Sequence, residues 1–272
     1  MTLNLRELFA VSDRSAVVTG GASGIGFAIA DILSDQGANV TVIDRDQAKI
    51  DAALDRLSGR DGAVRGEVCD VTDAEGLRRA IDAAASAQNG IDIVFANAGM
   101  GPGAPGPVGL DGSPIREGEV ESYDLADWQR VLDVNLNGVF LTARAAAPHL
   151  KKKGWGRLVV TSSVFAKRNS VALGISYMVS KAAVAHLMRN LALELAPHGV
   201  TVNAIAPGPF QTDISGGAMH IPDVQAIVGG EVPLKRLGQP DELKGLALFL
   251  ASPASSYMTG AHLSVDGGLS LV

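Results

Sequence analysis

Residues 16–26 read AVVTGGASGIG, a short β-branched run followed by glycines at positions 20, 21, 24 and 26. The run predicts a strand, and residues 25–36, which end before a glycine, predict a helix. Glycines permit a tight turn and a close backbone approach to a pyrophosphate, while a helix N-terminus offers free N–H groups. No Lys-Ser/Thr pair follows, which excludes the P-loop of a nucleotide triphosphatase. The stretch predicts a dinucleotide cradle, with a tight turn that binds nothing as the alternative. Its cofactor-binding members are Gly20, Ser23, Gly24, Ile25 and Gly26.

Short apolar runs alternate with helical stretches along the rest of the chain. Strands are predicted at 16–19, 40–43, 64–69, 91–96, 158–161, 200–206 and 262–265, and helices over 25–36, 72–88, 127–150, 176–195 and 241–250. Because most of the runs are continuously apolar, helices are expected to cover both faces of a parallel sheet. The pattern predicts an α/β fold with a doubly wound parallel seven-stranded sheet and helices on both faces, the Rossmann fold.

The chain shows no long flexible linker, so residues 1–272 are predicted to form one domain. Two segments interrupt the alternation. Residues 100–118 hold six glycines and four prolines, which predicts an irregular surface loop reaching to about residue 123. Residues 208–235 carry two Gly-Gly pairs and three prolines around short apolar pieces, and we interpret them as a mobile lid.

Composition excludes several classes of protein. The chain has 23 Lys and Arg against 29 Asp and Glu, so it lacks the positive charge that would indicate nucleic acid or an anionic membrane as a partner. Cys69 is the only cysteine, which rules out an intramolecular disulfide. The five histidines follow no metal-ligand spacing, so no metal site is predicted. Without a signal peptide or an unbroken apolar span, a cytoplasmic protein is expected.

A carboxylate stands at the end of the second predicted strand. Asp44 lies eighteen residues after Gly26, where it can accept hydrogen bonds from a ribose 2′-hydroxyl and would repel a 2′-phosphate. This favours NAD over NADP. Arg45 is the counter-argument, because a guanidinium can turn toward a phosphate. A capping role for Asp44 is the alternative, although Asp46 could serve as the cap equally well.

A tyrosine and a lysine four residues apart carry the predicted chemistry. Tyr177 and Lys181 fall on one face of a helix, and a nearby cation lowers the pKa of a phenol, which makes it a general acid/base at neutral pH. The pair follows a strand that ends in Thr161-Ser162-Ser163, and a serine hydroxyl at this edge can bind a substrate oxygen.

These motifs resemble the short-chain dehydrogenase/reductase family, in its compact single-domain branch. The matching positions are residues 19–26, Asp70, Asn97-Ala98-Gly99, Asn135, Ser163, Tyr177, Lys181, Pro207-Gly208 and Asp266-Gly267-Gly268.

The resemblance implies a role for each position. Tyr177 would be the general acid/base, Lys181 would lower its pKa and hold the nicotinamide ribose, and Ser163 would orient the substrate oxygen. Asn135 would hold a water that relays protons to Lys181. The remaining cofactor contacts implied are Asp70, Val71, Asn97, Ala98 and Gly99 on the adenosine side, and Pro207, Gly208, Phe210 and Thr212 on the nicotinamide side.

The chain departs from the family pattern near the substrate. Ser163 lies fourteen residues before Tyr177, one more than is usual, so Ser162 is an alternative. The loop over 100–123 is also longer than usual, which suggests a customised pocket rim. Candidate substrate contacts are Phe165, Arg168, Ile175, Phe210 and His220. Residues 181–195 are apolar nearly all round, and the resemblance implies that a homo-oligomer, a tetramer or a dimer, covers the exposed side.

The leading interpretation is an NAD-dependent oxidoreductase that interconverts a secondary alcohol, or a sugar or polyol hydroxyl, and a ketone by hydride transfer. Its partner would be a small-molecule substrate. An NADPH-dependent 3-oxoacyl reductase is one alternative. A non-catalytic NAD-sensing regulatory protein is another, although such a protein would not need the complete set of catalytic residues.

Overall fold

The computed structural model describes residues 4–272, and its sheet has seven parallel strands in the order β3-β2-β1-β4-β5-β6-β7. The strands are β1 (Ser15–Thr19), β2 (Asn39–Asp44), β3 (Val64–Val68), β4 (Ile93–Ala96), β5 (Gly156–Thr161), β6 (Val200–Pro207) and β7 (His262–Val265). This confirms the predicted seven-stranded Rossmann fold. The strand order reverses between β1 and β4, the position at which such sheets bind dinucleotides.

Helices cover both faces of this sheet. They are α1 (Leu5–Leu8), α2 (Gly24–Asp35), α3 (Gln47–Leu57), α4 (Ala74–Ala87), α5 (Leu125–Leu132), α6 (Gly138–Lys153), α7 (Ile175–Leu195), α8 (Pro222–Glu231) and α9 (Lys244–Ala251). The α3 helix was not predicted, although its buried residues Ile50, Ala53 and Leu57 have helical spacing. Asp73 is the N-cap of α4, so the helix begins two residues after the start of the predicted range 72–88.

Two apolar layers hold the sheet between the helices. One layer packs α4, α6 and α7 against one face, and the other packs α2, α3 and α9 against the opposite face. Every residue of β1, β4 and β5 is buried, as the continuous apolar runs predict. Side chains such as Ile81 and Leu150 are fully buried, and each contributes roughly 1.5–3 kcal/mol.

The helix predicted over 127–150 contains a change of helical type. Residues Asp133–Asn137 form a π-helical turn that joins α5 to α6. One π turn within α-helix commonly marks a functional position. Here it carries Asn135, whose side chain is fully buried.

The two interrupting segments are more ordered than predicted. The segment over 100–118 has no strand or α-helix, as predicted, although Pro105 forms an isolated antiparallel bridge with Leu173 and Val108 forms one with Pro114. Gly118 in this segment is buried. Within 208–235, α8 accounts for ten residues, and the role of this segment as a mobile lid stays a prediction.

Candidate active site

The glycine cradle lies at the carboxyl end of β1. Gly20 and Gly24 have φ angles of +63° and +52°, in the left-handed region that favours glycine. A Cβ on Gly26 would lie 2.0 Å from the Gly20 carbonyl oxygen. Within residues 4–272, the Ser23 side chain makes no capping bond to α2, so the first N–H groups of that helix point to the cradle unsatisfied. This geometry fits a pyrophosphate.

Substitution of Gly26 by alanine is expected to abolish dinucleotide binding, because the added methyl group would push the turn apart. Isothermal titration with NADH should show at least a 100-fold weaker affinity. Gly245→Ala is the matched control, since a Cβ there meets open space within the described chain and alanine favours a helix. Equal NADH affinity in the two variants would contradict the cradle assignment.

The Asn97 side chain links the glycine cradle to β5 by hydrogen bonds. Its Nδ2 donates to the Thr19 and Gly20 carbonyl oxygens at 3.2 and 3.3 Å. Its Oδ1 accepts a 2.9 Å hydrogen bond from the Thr161 hydroxyl. The amide of Asn97 is therefore occupied by the protein, and it shapes the dinucleotide site rather than offering its side chain to the adenosine. A Cβ on Gly20 would lie 2.8 Å from the Ala98 Cα, which places Ala98 directly against the turn.

Carboxylates at the ends of β2 and β3 have different partners. Asp46 is the N-cap of α3 and accepts from two backbone N–H groups of that helix at 3.0 and 3.3 Å. Within residues 4–272, Asp44 accepts one long bond, 3.4 Å from the Asp46 N–H, and Asp46 rather than Asp44 caps α3, so the capping alternative for Asp44 is wrong. Exposed Arg45 lies between them. The Asp70 carboxylate is occupied by the N–H and hydroxyl of Thr72 at 2.9 and 2.8 Å.

Val71, the other residue implied on this side, is buried. Its Cγ2 lies 2.7 Å from the position that a Cβ on Gly138 would take. The side chain therefore packs against the first turn of α6.

Tyr177 and Lys181 lie together on α7, at the carboxyl edge of β5. The Lys181 Nζ is 5.7 Å from the centroid of the Tyr177 ring and donates a 3.0 Å hydrogen bond to the Thr161 carbonyl oxygen. Lys181 is buried, whereas Tyr177 is half-buried. The two residues therefore share one helix face, as their spacing predicts.

Burial governs the acid–base properties of this pair. It raises the pKa of Tyr177 above the ordinary value for a phenol, and a hydrogen bond with the Ser163 hydroxyl acts in the opposite direction. It lowers the pKa of Lys181 to about 8. For the protein chain without a bound dinucleotide, desolvation is the larger influence on the Tyr177 pKa, and the lowering of that pKa by Lys181 stays a prediction.

Asn135 connects the π-helical turn to the loop that follows β4. Its Oδ1 accepts a 2.8 Å bond from the Met100 N–H, and its Nδ2 donates to the Met100 carbonyl at 3.1 Å and to the Ser180 hydroxyl at 3.3 Å. A Cβ on Gly99 would lie 3.3 Å from the Asn135 Oδ1 and 3.5 Å from the Lys181 Nζ. Asn135 and Lys181 thus flank Gly99. The water relay through Asn135 stays a prediction.

The two serines after β5 face different ways. Ser163 accepts a 3.2 Å bond from the Phe165 N–H and lies 3.4 Å from the Pro207 carbonyl oxygen, and its hydroxyl acts to lower the pKa of Tyr177. The Ser162 hydroxyl donates to the Lys181 carbonyl at 3.1 Å and lies 3.1 Å from the Nε2 of His262. The Ser162 hydroxyl is thus occupied by protein partners, which favours Ser163, and the role of Ser163 toward a substrate oxygen stays a prediction.

His262 was not singled out as a site residue by sequence reasoning. It comes from β7, a hundred residues after Ser162, and the fold brings the two together. Burial lowers its pKa to about 4, and the positive charges of Lys167 and Arg189 add to this effect. No local pattern in the sequence indicates this contact.

The segment after β6 lies against the glycine cradle. A Cβ on Gly24 would lie 3.3 Å from the Thr212 Cγ2, and the Gly101 N–H donates a 3.1 Å bond to the Ile214 carbonyl. Pro207 and Gly208 end β6, and a Cβ on Gly208 would lie 2.8 Å from the Asp266 Cα. These contacts place the segment across the mouth of the cleft.

The five candidate substrate residues have different surroundings. Phe165 is half-buried and Ile175 is 39% exposed, and both lie on the segment between Ser163 and Tyr177. The Phe210 ring packs into the apolar core, with Gly238 against it. Two other residues have polar partners. The His220 Nε2 pairs with Asp213 at 3.0 Å, and the Arg168 Nε donates to the Val272 main-chain oxygen at 3.1 Å.

Comparison with known proteins agrees with this geometry. The family model described as "Enoyl-(Acyl carrier protein) reductase" matches residues 11–270. The chain belongs to the short-chain dehydrogenase/reductase family. It is 36% identical over 258 residues to dehydrogenase/reductase SDR family member 4 of Bos taurus, covering 95% of this chain and 88% of that protein. It is 37% identical over 266 residues to cis-4-hydroxycyclohexanecarboxylate dehydrogenase of Sinomonas cyclohexanicum, covering 97% and 99% of the two chains.

Solved structures of the short-chain dehydrogenase/reductase family have the same fold. A member from Mycobacterium marinum superposes with a TM-score of 0.88 at 35% identity, covering 98% of this chain and 99% of its own. Nicotinamide dinucleotides are the cofactors of the family, and a solved 3-quinuclidinone reductase from Rhodotorula rubra is NADPH-dependent. That structure has a TM-score of 0.87 at 32% identity and covers 100% of this chain and 97% of its own.

Other kinds of site were also sought across residues 4–272. No group of three or more His, Cys, Asp or Glu side chains in this part of the chain is arranged to hold a metal ion. The same residues include no helix with the length and apolarity that a membrane span requires.

Proposed function

We propose that the protein is an NAD-dependent oxidoreductase that interconverts a secondary alcohol and a ketone. The observation that carries this proposal is the placement of Tyr177 between Ser163 and Lys181, on the same sheet edge as the glycine cradle. The family relationship supports the class of reaction, because dehydrogenases and reductases are among its members.

Each residue of the cluster has a distinct task in this proposal. The Ser163 hydroxyl binds the substrate oxygen, and the Tyr177 hydroxyl accepts a proton from the alcohol or donates one to the ketone. Lys181 holds a positive charge near the phenol and offers its Nζ to the ribose. A bound nicotinamide supplies the hydride acceptor or donor. The protein keeps the reacting oxygen near Tyr177, and the segment over 208–235 limits the access of water.

The adenosine side of the cradle favours NAD. Among the described residues Asp44 has one weak hydrogen-bond partner, so its carboxylate is available to a ribose 2′-hydroxyl. A 2′-phosphate at this position would meet the same negative charge. The neighbouring Arg45 is exposed and is the residue that would serve the NADPH-dependent alternative.

Replacement of Asp44 by serine is expected to weaken NADH binding about 10- to 100-fold, since a hydrogen bond to a charged group contributes about 1.5–3 kcal/mol. The NADPH affinity should rise because repulsion is removed. Fluorescence titration with each cofactor gives the ratio of the NADH affinity to the NADPH affinity. Asp46→Ser is the matched control, because it removes the same charge two residues away and acts on the cap of α3. An Asp44→Ser variant with the wild-type ratio would count against NAD preference.

An alicyclic alcohol is the substrate class that we propose. Phe165 and Ile175 give the segment beside Tyr177 an apolar character, and the relative from Sinomonas cyclohexanicum acts on a hydroxylated cyclohexane ring. Cyclohexanol, cis-4-hydroxycyclohexanecarboxylate and gluconate should be tested with NAD while NADH absorbance is followed. The 3-oxoacyl alternative predicts NADPH oxidation with a 3-oxoacyl thioester instead. The NAD-sensing alternative predicts NADH binding without turnover of any of them.

An apolar surface on α6 and α7 supports a homo-oligomer. Phe140 is 46% exposed and Leu193 is 78% exposed, and a contact between copies of the chain would bury both side chains. We expect light scattering to show a dimer or tetramer. A Phe140→Asp and Leu193→Asp double variant should give smaller particles, because both charges would be buried at the contact. Matched substitution of exposed Leu5 by Asp, far along the chain from both helices, should leave the particle size unchanged. A wild-type monomer would contradict this expectation.

A further inference from the structure

The two departures from the family pattern form one structural unit. We define the paired rim as residues 102–108, from the long loop, together with residues 171–174, which lead into α7. The Val108 N–H donates a 3.2 Å bond to the Val171 carbonyl, next to the antiparallel bridge described above. The long loop and the extra residue before Tyr177 therefore meet along an antiparallel contact.

The paired rim packs directly against the start of α7. A Cβ on Gly174 would lie 2.3 Å from the Ala104 carbonyl oxygen and 2.7 Å from the Tyr123 hydroxyl. Gly174 is the N-cap of α7 and makes no side-chain capping bond within residues 4–272. The first turn of the catalytic helix therefore depends on other contacts for its position.

A hydrogen-bonded chain provides these contacts. The Tyr123 hydroxyl lies 2.8 Å from the Ser176 Oγ, and both hydroxyls lie within donating distance of the Pro102 carbonyl oxygen, Ser176 at 3.3 Å and Tyr123 at 3.4 Å. When Ser176 donates to Pro102, the Tyr123 hydroxyl is the donor to Ser176. Ser176 is fully buried, so water does not replace a lost partner freely.

Ser176 immediately precedes Tyr177, so any movement of Ser176 moves the catalytic phenol. We propose that Tyr123 is a positioning residue for Tyr177, acting through Ser176. Its hydroxyl holds the first turn of α7 against the paired rim and so sets the distance between the Tyr177 hydroxyl and the substrate oxygen. The proposal rests on the proposed function for the role of Tyr177 as acid/base.

Hydrogen exchange tests the positioning without any substrate. In the full-length protein, Tyr123→Phe and Ser176→Ala should each raise the exchange rate of the amides of residues 176–181 at least tenfold, while α4 is unaffected. Tyr257→Phe is the matched control, because Tyr257 is fully exposed. Exchange over 176–181 that stays at the wild-type rate in both variants would overturn the proposal.

Kinetics with the best alcohol of the screen tests the consequence for catalysis. Tyr123→Phe should lower kcat about tenfold, shift the pH profile of kcat and leave the KM for NAD unchanged. Gly174→Ala should also lower kcat, because the added Cβ would displace the paired rim from the start of α7. A variant that only loses thermal stability, with an unchanged kcat and pH profile, would refute the proposal. If the wild type oxidises none of the alcohols, the proposed function fails, and the exchange experiment still decides the positioning role.

Discussion

Replacement of Tyr177 by phenylalanine is expected to lower kcat by a factor of about 10² to 10⁴, the range that a positioned acid/base contributes. The ring would keep its packing, and only the hydroxyl that reaches Ser163 would be lost. Stopped-flow or steady-state NADH absorbance with the best alcohol of the screen measures the rate.

Cofactor binding separates a chemical loss from a structural one in this variant. The NADH affinity of Tyr177→Phe, measured by fluorescence titration, should stay within about threefold of wild type, because the pyrophosphate cradle lies on a different element. Tyr257→Phe should retain full turnover. A Tyr177→Phe enzyme with near-normal kcat would remove the phenol from the mechanism.

Substitution of Lys181 by methionine is expected to abolish turnover and to stabilise the fold at the same time. Burial lowers the Lys181 pKa from 10.5 to about 8, and each pKa unit corresponds to about 1.4 kcal/mol. At pH 7 the lysine is charged in both the folded and the unfolded chain, so the folded state carries the full cost of the buried charge. Methionine removes this cost, up to about 3 kcal/mol, and loses the hydrogen bond to Thr161.

The destabilisation that the buried Lys181 charge causes should decrease as the pH rises. Between about pH 8 and pH 10 the unfolded lysine holds a proton that the folded one has released, so the wild type gains stability as the pH rises. The Lys181→Met variant lacks this gain. Urea unfolding at several pH values should show the stability advantage of the variant at pH 7 shrinking toward pH 10. A variant that is less stable than wild type at pH 7 would contradict the burial cost.

Much of the fold was predictable because it depends on local patterns. Continuous apolar runs identified the strands, and glycines with a following helix identified the cradle. Tyr177 and Lys181 were recognisable because helical spacing alone places them together. The carboxyl edge of a parallel sheet then gathers the residues that end each strand, which explains why Ser163 is found beside Tyr177.

The features that escaped prediction depend on contacts between distant residues. His262 meets Ser162 across a hundred residues, and Tyr123 meets Ser176 across 53. No sequence repeat or motif predicts either contact. The π-helical turn around Asn135 spans only five residues, which is too short for hydrophobic periodicity to distinguish it from an α-helix. The pKa of Tyr177 could not be read from spacing either, because it depends on how deeply the whole cluster is buried.

The paired rim has a consequence for attempts to exchange specificity between members of the family. Loops are commonly transplanted one at a time, on the assumption that each is an independent module. Here residues 100–123 and 164–175 are hydrogen-bonded to each other, and a graft of either one alone would leave the backbone of the other without partners. Chimeric enzymes built on this scaffold should therefore take both pieces from the same donor.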